Sequence, residues 1–448
     1  MEIKNKTFSI IGMARSGIAA AKKISGLGGK VFISDFKKAG EVENSTEVCQ
    51  KFDCEFGGHT IKVLQADTII VSPGVPLNIE ILSEARQKGI ELISEIEFGY
   101  RIKSEDSKLI CCTGSNGKST TVSLIHHILV TCGYKAVLAG NIGTPFTAFP
   151  VEKPGIDFIV LELSSFQLEL INKFKADAAI ILNITPDHLD RYDGFDHYAQ
   201  TKFNIFRNQT AQDLAILNLD DNKVREFSWN ISSRIKWFSR EQKADAWKQK
   251  SNLIVNQQIF PISDLAISGP HNEMNTMAAL LAIADYTSGM EDKVRAGLSS
   301  FQSLPHRLEY ITSVNGVRFI NDSKATNTDS VKYALLSFSG NVHIILGGSD
   351  KGEDFSILIP YLQKDTVHTY IIGATKNRMR DAFKNRIRFE ECNGLEDAMR
   401  QAFSSAQKDD VILLSPACAS YDSFRNYLHR GETFRNISKE IENEQTLR

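Results

Sequence analysis

Residues 111–121 read CCTGSNGKSTT, and the fold turns on them. LICCTG (109–114) has the apolar run of a buried strand, and KSTTVSLIHHIL (118–129) has the composition of a helix. Between them the chain passes through Gly114 and Gly117 into a helix opened by Lys118 and Ser119. A phosphate group needs this arrangement. Glycines let the backbone wrap the anion, and amide N–H groups at the helix start point toward it. The lysine adds a cation, and the serine hydroxyl can hold Mg²⁺. The general pattern G-x-x-x-x-G-K-[ST] asks for glycine at 112, where this chain has Cys112. A plain structural turn is the competing reading; the strand–loop–helix context favours phosphate.

Short apolar runs alternate with helical patterns on both sides of this loop, which indicates parallel βαβ units. The first series has strands at 7–12, 30–35, 67–72 and 90–94, with the amphipathic SGIAAAKKISGLG (16–28) between two of them. The second has strands at 107–114, 135–140, 157–165 and 176–185, then DLAILNLD (213–220) and RIKWFS (234–239), and a helix near GPHNEMNTMAALLAIADY (269–286). The third has strands at 317–323, 342–348, 367–373 and 410–417, and a final helical pattern from YDSFRNYLHRGETF (421–434). The expectation is an α/β chain of three consecutive domains with mainly parallel sheets, at 1–98, 99–303 and 304–448.

The bulk numbers agree with that size. The chain has 448 residues, 42% hydrophobic and 24% charged, enough for several cores. A net charge of −2 with well-mixed signs argues against nucleic acid as a partner. Seven scattered cysteines point to a reducing compartment. Cys49 and Cys54 have no second Cys or His pair to complete a zinc site. The N-terminus lacks an apolar signal core, and the longest apolar stretches fall short of the roughly 18 residues that span a bilayer. The chain reads as cytoplasmic, with no membrane partner.

Further motifs each carry two readings. GMARSG (12–17) follows the first strand, but Ala14 stands where the dinucleotide fingerprint has its second glycine. Asp35 ends the next strand, where a ribose-binding acid can sit, and Ser72, Pro73 and Gly74 end another. A nucleotide in that crevice competes with simple helix–strand packing. Glu162, late in its strand, suits either Mg²⁺ or a nearby lysine. Asp187, His188 and Asp190 cluster at a strand end with Lys202 downstream; His188 is a ligand or an ordinary polar loop residue. Asn272 and Asn275 suit the edge of a base or helix capping. Arg307, Asp322, Ser323, Lys324 and Thr326 form a polar group that is costly to bury without purpose.

Eight stretches in order carry a resemblance: TGSNGKSTT, GNIGTP, LELSSFQLE, DHLDRY, GPHNEMN, LPHR, NDSKATN and SPACASYDSFRN. Together they resemble the ATP-dependent Mur ligases of peptidoglycan synthesis, in which Cys112 is no anomaly. The resemblance covers nearly the whole chain and implies Rossmann-like domains at both ends and a P-loop ATPase-type domain between them. It also implies a reaction: ATP phosphorylates a carboxylate of a UDP-linked muramoyl substrate, and an amino acid's amine then displaces the phosphate. Within the family the motifs are most similar to the branch that joins D-glutamate to UDP-N-acetylmuramoyl-L-alanine.

The resemblance assigns roles as well. Gly114, Ser115, Asn116, Gly117, Lys118, Ser119 and Thr120 would hold ATP, with Asn272, Asn275, Arg307 and Asp322 as further contacts. Two Mg²⁺ ions would be held by Ser119, Glu162, His188 and Lys202, the lysine as a carbamate. Lys118, Glu162, His188 and Lys202 are the implied catalytic set. Arg15, Ser16, Asp35, Ser72, Pro73, Gly74, Asn141 and His188 would bind the UDP substrate. Lys324, Thr326, Lys351, Ser420, Tyr421 and Tyr427 would bind D-glutamate; the family pattern has leucine and phenylalanine at the two tyrosine positions. A monomer is expected. The rivals are a sister ligase for L-alanine, a diamino acid or folate, a slow nucleotide-gated switch, and an oxidoreductase, which Ala14 disfavours.

Overall fold

A computed structural model of the chain describes residues 1–187, 191–267 and 269–446. The chain divides into two bodies, Met1–Leu265 with Glu273–Ser300, and Ala266–Asn272 with Phe301–Arg448. The first body holds two sheets and the second holds one.

The first sheet is built from β1 (Thr7–Ile11), β2 (Lys30–Asp35), β3 (Asp53–Phe56), β4 (Thr68–Val71) and β5 (Glu91–Ile93). Its order is β3-β2-β1-β4-β5, and every pair is parallel. Ile10, Ile33 and Ile70 pair across its centre and are buried, which explains the unbroken apolar runs of these strands. The strand order reverses at β1, so a crevice opens beyond the C-terminal ends of β1 and β4. The sequence reading missed β3, because DCEF is a partly exposed edge strand without an apolar run.

The second sheet comprises β6 (Lys108–Thr113), β7 (Ala136–Gly140), β8 (Phe158–Glu162), β9 (Ala178–Ile181), β10 (Leu214–Asn218), β11 (Arg234–Ser239), β12 (Ala246–Gln249), β13 (Asn252–Val255) and β14 (Gln258–Pro261). Their order is β14-β13-β12-β11-β10-β9-β6-β8-β7. The strands from β7 to β12 run parallel, whereas β12, β13 and β14 form an antiparallel extension. That extension was not expected. Its four-residue strands are too short and polar to stand out, and its turns use Lys250, Asn256 and Gln257 at positive φ in place of a glycine signal.

The second body's sheet has β15 (Glu309–Val314), β16 (Val317–Asn321), β17 (Val342–Gly347), β18 (Val367–Ile372), β19 (Phe389–Glu391) and β20 (Val411–Leu414), ordered β15-β16-β20-β17-β18-β19. Only β15 is antiparallel to its neighbour. The four expected strands lie at the centre, and the edge strands β15 and β19 are additions. No helix among the described residues is long and apolar enough to cross a membrane.

Candidate active site

The loop from Gly114 to Thr120 leaves β6 and enters the helix Lys118–Cys132. Cys112 is a β6 residue paired to Glu162 on one side and Ile180 on the other, and it is fully buried. A side chain therefore fits at 112, and the positive φ begins only at Gly114 (+148°). Gly117 has φ +85°, and a Cβ there would lie 2.4 Å from Asn275 Oδ1. The left-handed conformation demands glycine, and any side chain there would also displace the Asn275 amide. The loop is sewn to the segment after β9: Ser115 N donates to Asn183 O (2.9 Å), Asn116 N to Asn183 Oδ1 (2.8 Å) and Ser115 Oγ to Thr185 O (2.9 Å).

Two lysines converge on this loop. Lys118 Nζ donates to the carbonyls of Gly114 and Ser115, both at 2.8 Å. Lys202, on the helix Phe195–Phe203, donates to the same Gly114 carbonyl at 2.9 Å and sits 4.6 Å over the Tyr198 ring. Lys202 is 2% exposed. Burial first, and then the charge of Lys118, hold its ammonium well below the ordinary lysine range. Glu162 is buried at the end of β8, where its Oε1 accepts from Asn141 Nδ2 at 2.7 Å. Asn141 N also donates to Glu162 O (2.8 Å), which pins GNIGTP to the strand end. Ser119 and Thr120 are buried in the first helical turn. His188 and Asp190 lie outside the described residues.

The crevice of the first sheet is a cleft of about 1330 Å³ lined by Arg15, Ser16, Asp35, Ser72, Pro73 and Gly74, among others. Asp35 braces its floor: Oδ2 accepts from Met13 N (2.6 Å) and Oδ1 from Lys37 N (2.9 Å). Ser72 Oγ donates to Gly12 O at 2.9 Å. Arg15 reaches Gly143 O at 2.9 Å, which ties the first sheet's loop to GNIGTP. Asn141, expected with the same substrate, stands at Glu162 and is not among the lining residues.

In the second body, the loops after β16, β17 and β20 gather around Arg430. This arginine is 1% exposed and donates to Ser323 Oγ, Ser323 O, Cys418 O and Ala419 O at 2.8–3.2 Å. Burial pushes its pKa down to about 10. Asp322 accepts from Ser415 Oγ (2.8 Å) and Leu308 N (3.3 Å), and burial pushes it up to about 7 against the opposing effects of Ser415 and Arg307. Lys324 Nζ lies 5.0 Å over the Tyr427 ring, and Ser420 is buried. Thr326 is half-buried, and Lys351 and Tyr421 are exposed. Asn272 belongs to this body, where its N–H donates to Gly269 O at 3.0 Å.

Three family profiles match the chain in succession: "Mur ligase MurD-like, N-terminal domain" over 6–94, "Mur ligase middle domain" over 112–283, and "Mur ligase, glutamate ligase domain" over 306–418. The chain belongs to the Mur ligase family. Mur ligases are ATP-dependent enzymes that form carbon–nitrogen bonds. The chain is 38% identical over 451 residues to the UDP-N-acetylmuramoylalanine--D-glutamate ligase of Koribacter versatilis, with 98% of this chain and 99% of that one covered. It is 40% identical to the protein of the same name from Cytophaga hutchinsonii, with coverage of 96% and 98%. Its fold is similar to UDP-N-acetylmuramate-alanine ligase MurC from Thermotoga maritima (TM-score 0.61, 16% identity, 97% and 100% covered). It is also similar to MurF ligase from the same organism in complex with ADP (TM-score 0.61, 16% identity, 92% and 96% covered).

Within this Mur ligase, the buried carboxylate of Glu162, the buried hydroxyls of Ser115, Ser119 and Thr120, and the buried Lys202 with its lowered pKa lie at the glycine-rich loop. Among the described residues no group of three or more His, Cys, Asp or Glu could hold a metal by itself. Glu162 and Ser119 are hard oxygen donors that suit Mg²⁺ when phosphate oxygens complete the shell. Several structural partners escaped the sequence reading. Tyr198 lies four residues before Lys202, a helical spacing that could have signalled the pair. Asn183 and Arg430 carry no such local sign, since their partners come from distant loops.

Proposed function

We propose that the chain joins D-glutamate to UDP-N-acetylmuramoyl-L-alanine with ATP, in peptidoglycan precursor synthesis in the cytoplasm. The observation that carries this reading is 38–40% identity over nearly the full length of relatives that bear that name. The domains are proposed at 1–98, 99–303 and 304–448, with the UDP moiety in the cleft at Asp35, ATP at Gly114–Thr120, Asn272, Asn275, Arg307 and Asp322, and D-glutamate at Lys324, Thr326, Lys351, Ser420, Tyr421 and Tyr427.

A free carboxylate is a poor electrophile because its leaving group would be oxide. Transfer of the γ-phosphoryl group from ATP to a carboxylate oxygen of the substrate releases ADP and leaves an acyl phosphate. The D-glutamate amine adds to that carbonyl carbon, and the tetrahedral species collapses to the amide with loss of phosphate and a proton. The protein's contribution is positioning and charge neutralisation. Lys118 balances charge on the transferred phosphoryl group. Two Mg²⁺ ions, held by Ser119 and Glu162 and by His188 with carbamylated Lys202, would neutralise phosphate oxygens when bound. Burial of Lys202 favours the neutral amine that CO₂ requires, and the carbamate turns a cation into a carboxylate-like oxygen donor.

Phosphate release from ATP, measured with UDP-N-acetylmuramoyl-L-alanine and one amino acid at a time, tests the reading. Turnover is expected with D-glutamate and not with L-glutamate. Equal turnover with L-alanine or a diamino acid would assign the chain to a sister ligase.

A further inference from the structure

The helix Pro270–Ile283 carries Asn275, whose side chain packs against Gly117. Two residues earlier stands Glu273, which none of the assigned roles uses. A step of two residues turns about 200° around a helix, so Glu273 faces away from the phosphate loop. There its carboxylate is gripped from both sides. Arg240 Nε donates to Oε2 at 2.6 Å, and Lys248 Nζ donates to Oε1 at 2.7 Å. The Glu273 side chain is 9% exposed, and those of Arg240 and Lys248 are 30% and 25%.

The two cations come from different parts of the second sheet, one from the end of an expected strand and one from the extension that the sequence did not reveal. Arg240 directly follows β11, and its N–H donates to Asp220 Oδ2 at 2.7 Å beyond the end of β10. Lys248 lies on β12, the first strand of the antiparallel extension. An acid in a first helical turn often serves only the helix dipole, and such an acid stays solvated. Glu273 is mostly buried with two charge-assisted bonds, so removing its charge leaves two cations facing a desolvated neutral group.

We propose that Glu273 is a positioning residue for the nucleotide: with Arg240 and Lys248 it locks the helical turn that holds Asn275 against the phosphate loop. The β12–β14 extension then acts as a brace that sets nucleotide affinity without touching the nucleotide. The proposal rests on the reading of Gly117 and Asn275 as part of the ATP site.

The test is calorimetric binding of ADP with MgCl₂, and separately of UDP-N-acetylmuramoyl-L-alanine, to the full chain and to Glu273→Gln, Lys248→Met and Asn275→Ala. Glu273→Gln and Lys248→Met are expected to bind ADP about tenfold more weakly, with the UDP substrate changed less than about twofold. Lys248→Met removes one partly exposed arm and decides the matter if Glu273→Gln does not fold. Unchanged ADP affinity in the clamp variants, with Asn275→Ala impaired, overturns the proposal and leaves the site reading intact. An equal loss for both ligands also overturns it, because that is general loosening. If Asn275→Ala binds ADP normally, the site reading itself falls, and the route through Asn275 with it.

Discussion

The first body contains two versions of one element, a parallel strand that turns through glycine into a helix. β1 passes through Gly12 (φ +96°) into the helix Arg15–Gly26, and β6 passes through Gly114 (φ +148°) into the helix Lys118–Cys132. Each turn is braced by a polar side chain beyond a neighbouring strand or at its end: Asp35 takes the Met13 N–H, and Asn183 takes the Asn116 N–H. They differ in what fills the inside. At Gly114, two lysines occupy the turn's carbonyls, and Gly117 in the left-handed region brings Asn275 close. At Gly12, Ala14 precedes the helix, the Gly12 carbonyl is taken by the Ser72 hydroxyl, and a cleft of about 1330 Å³ lies alongside. The same supersecondary unit thus makes a tight, cationic grip in one place and a wide cleft in the other. Side chains brought in from elsewhere decide which.

The sharpest way to break this contrast is Lys118→Ala. Phosphate release should fall by roughly 10²–10³, while binding of the UDP substrate stays as in the wild type. A normal rate would move the nucleotide away from Gly114. Lys202→Ala should cost at least about 10² in rate, with partial recovery on adding acetate, which supplies the missing carboxylate oxygens. Lys202→Arg should not recover, because guanidinium keeps the wrong charge. If Lys202 only packs on Tyr198, acetate will change nothing. At the other turn, Asp35→Ala strips the Met13 and Lys37 amides of their acceptor. It should raise KM for the UDP substrate about tenfold, on the scale of a charged hydrogen bond, and leave KM for ATP unchanged. A rise for ATP as well would mean that the two turns do not act separately.

The smallest effect concerns Glu95, which supports the segment after GNIGTP. It is 2% exposed, accepts from Thr147 N (2.6 Å) and Thr147 Oγ1 (2.7 Å), and is pushed up to about 7 by burial from an ordinary 4.5. A carboxyl with a raised folded pKa contributes stability that is fully present below the unfolded value and is lost as pH rises through the folded one. Melting of the wild type should therefore decline from about pH 4.5 to about pH 7 on account of this group. Glu95→Gln should flatten that decline by about 2–4 °C. An identical pH profile in the variant would show that Glu95 is not the group responsible.

The glycine-rich loop was legible because its signals are local: Gly114, Gly117, Lys118 and Ser119 sit within six residues, between a strand and a helix that announce themselves. The central strands of all three sheets were legible because burial on both faces leaves continuous apolar runs. The edge strands β3, β15 and β19 and the extension β12–β14 were not, because an exposed or antiparallel strand can be short and polar. Cys112 looked like a defect in the motif, and the register shows why it is tolerated: it belongs to β6, two residues before the backbone turns at Gly114.

From the sequence alone came the α/β order, the glycine-rich loop before the helix at Lys118 and the candidate residues for catalysis and binding, since periodicity and short motifs are properties of neighbouring residues. Only the tertiary structure decided what those residues meet. It brought Lys202 onto the Gly114 carbonyl from 88 positions away, set Asn141 on Glu162, and closed Arg240 and Lys248 on Glu273. Such contacts depend on strand order, and strand order is fixed by packing across the sheet, which no local pattern records.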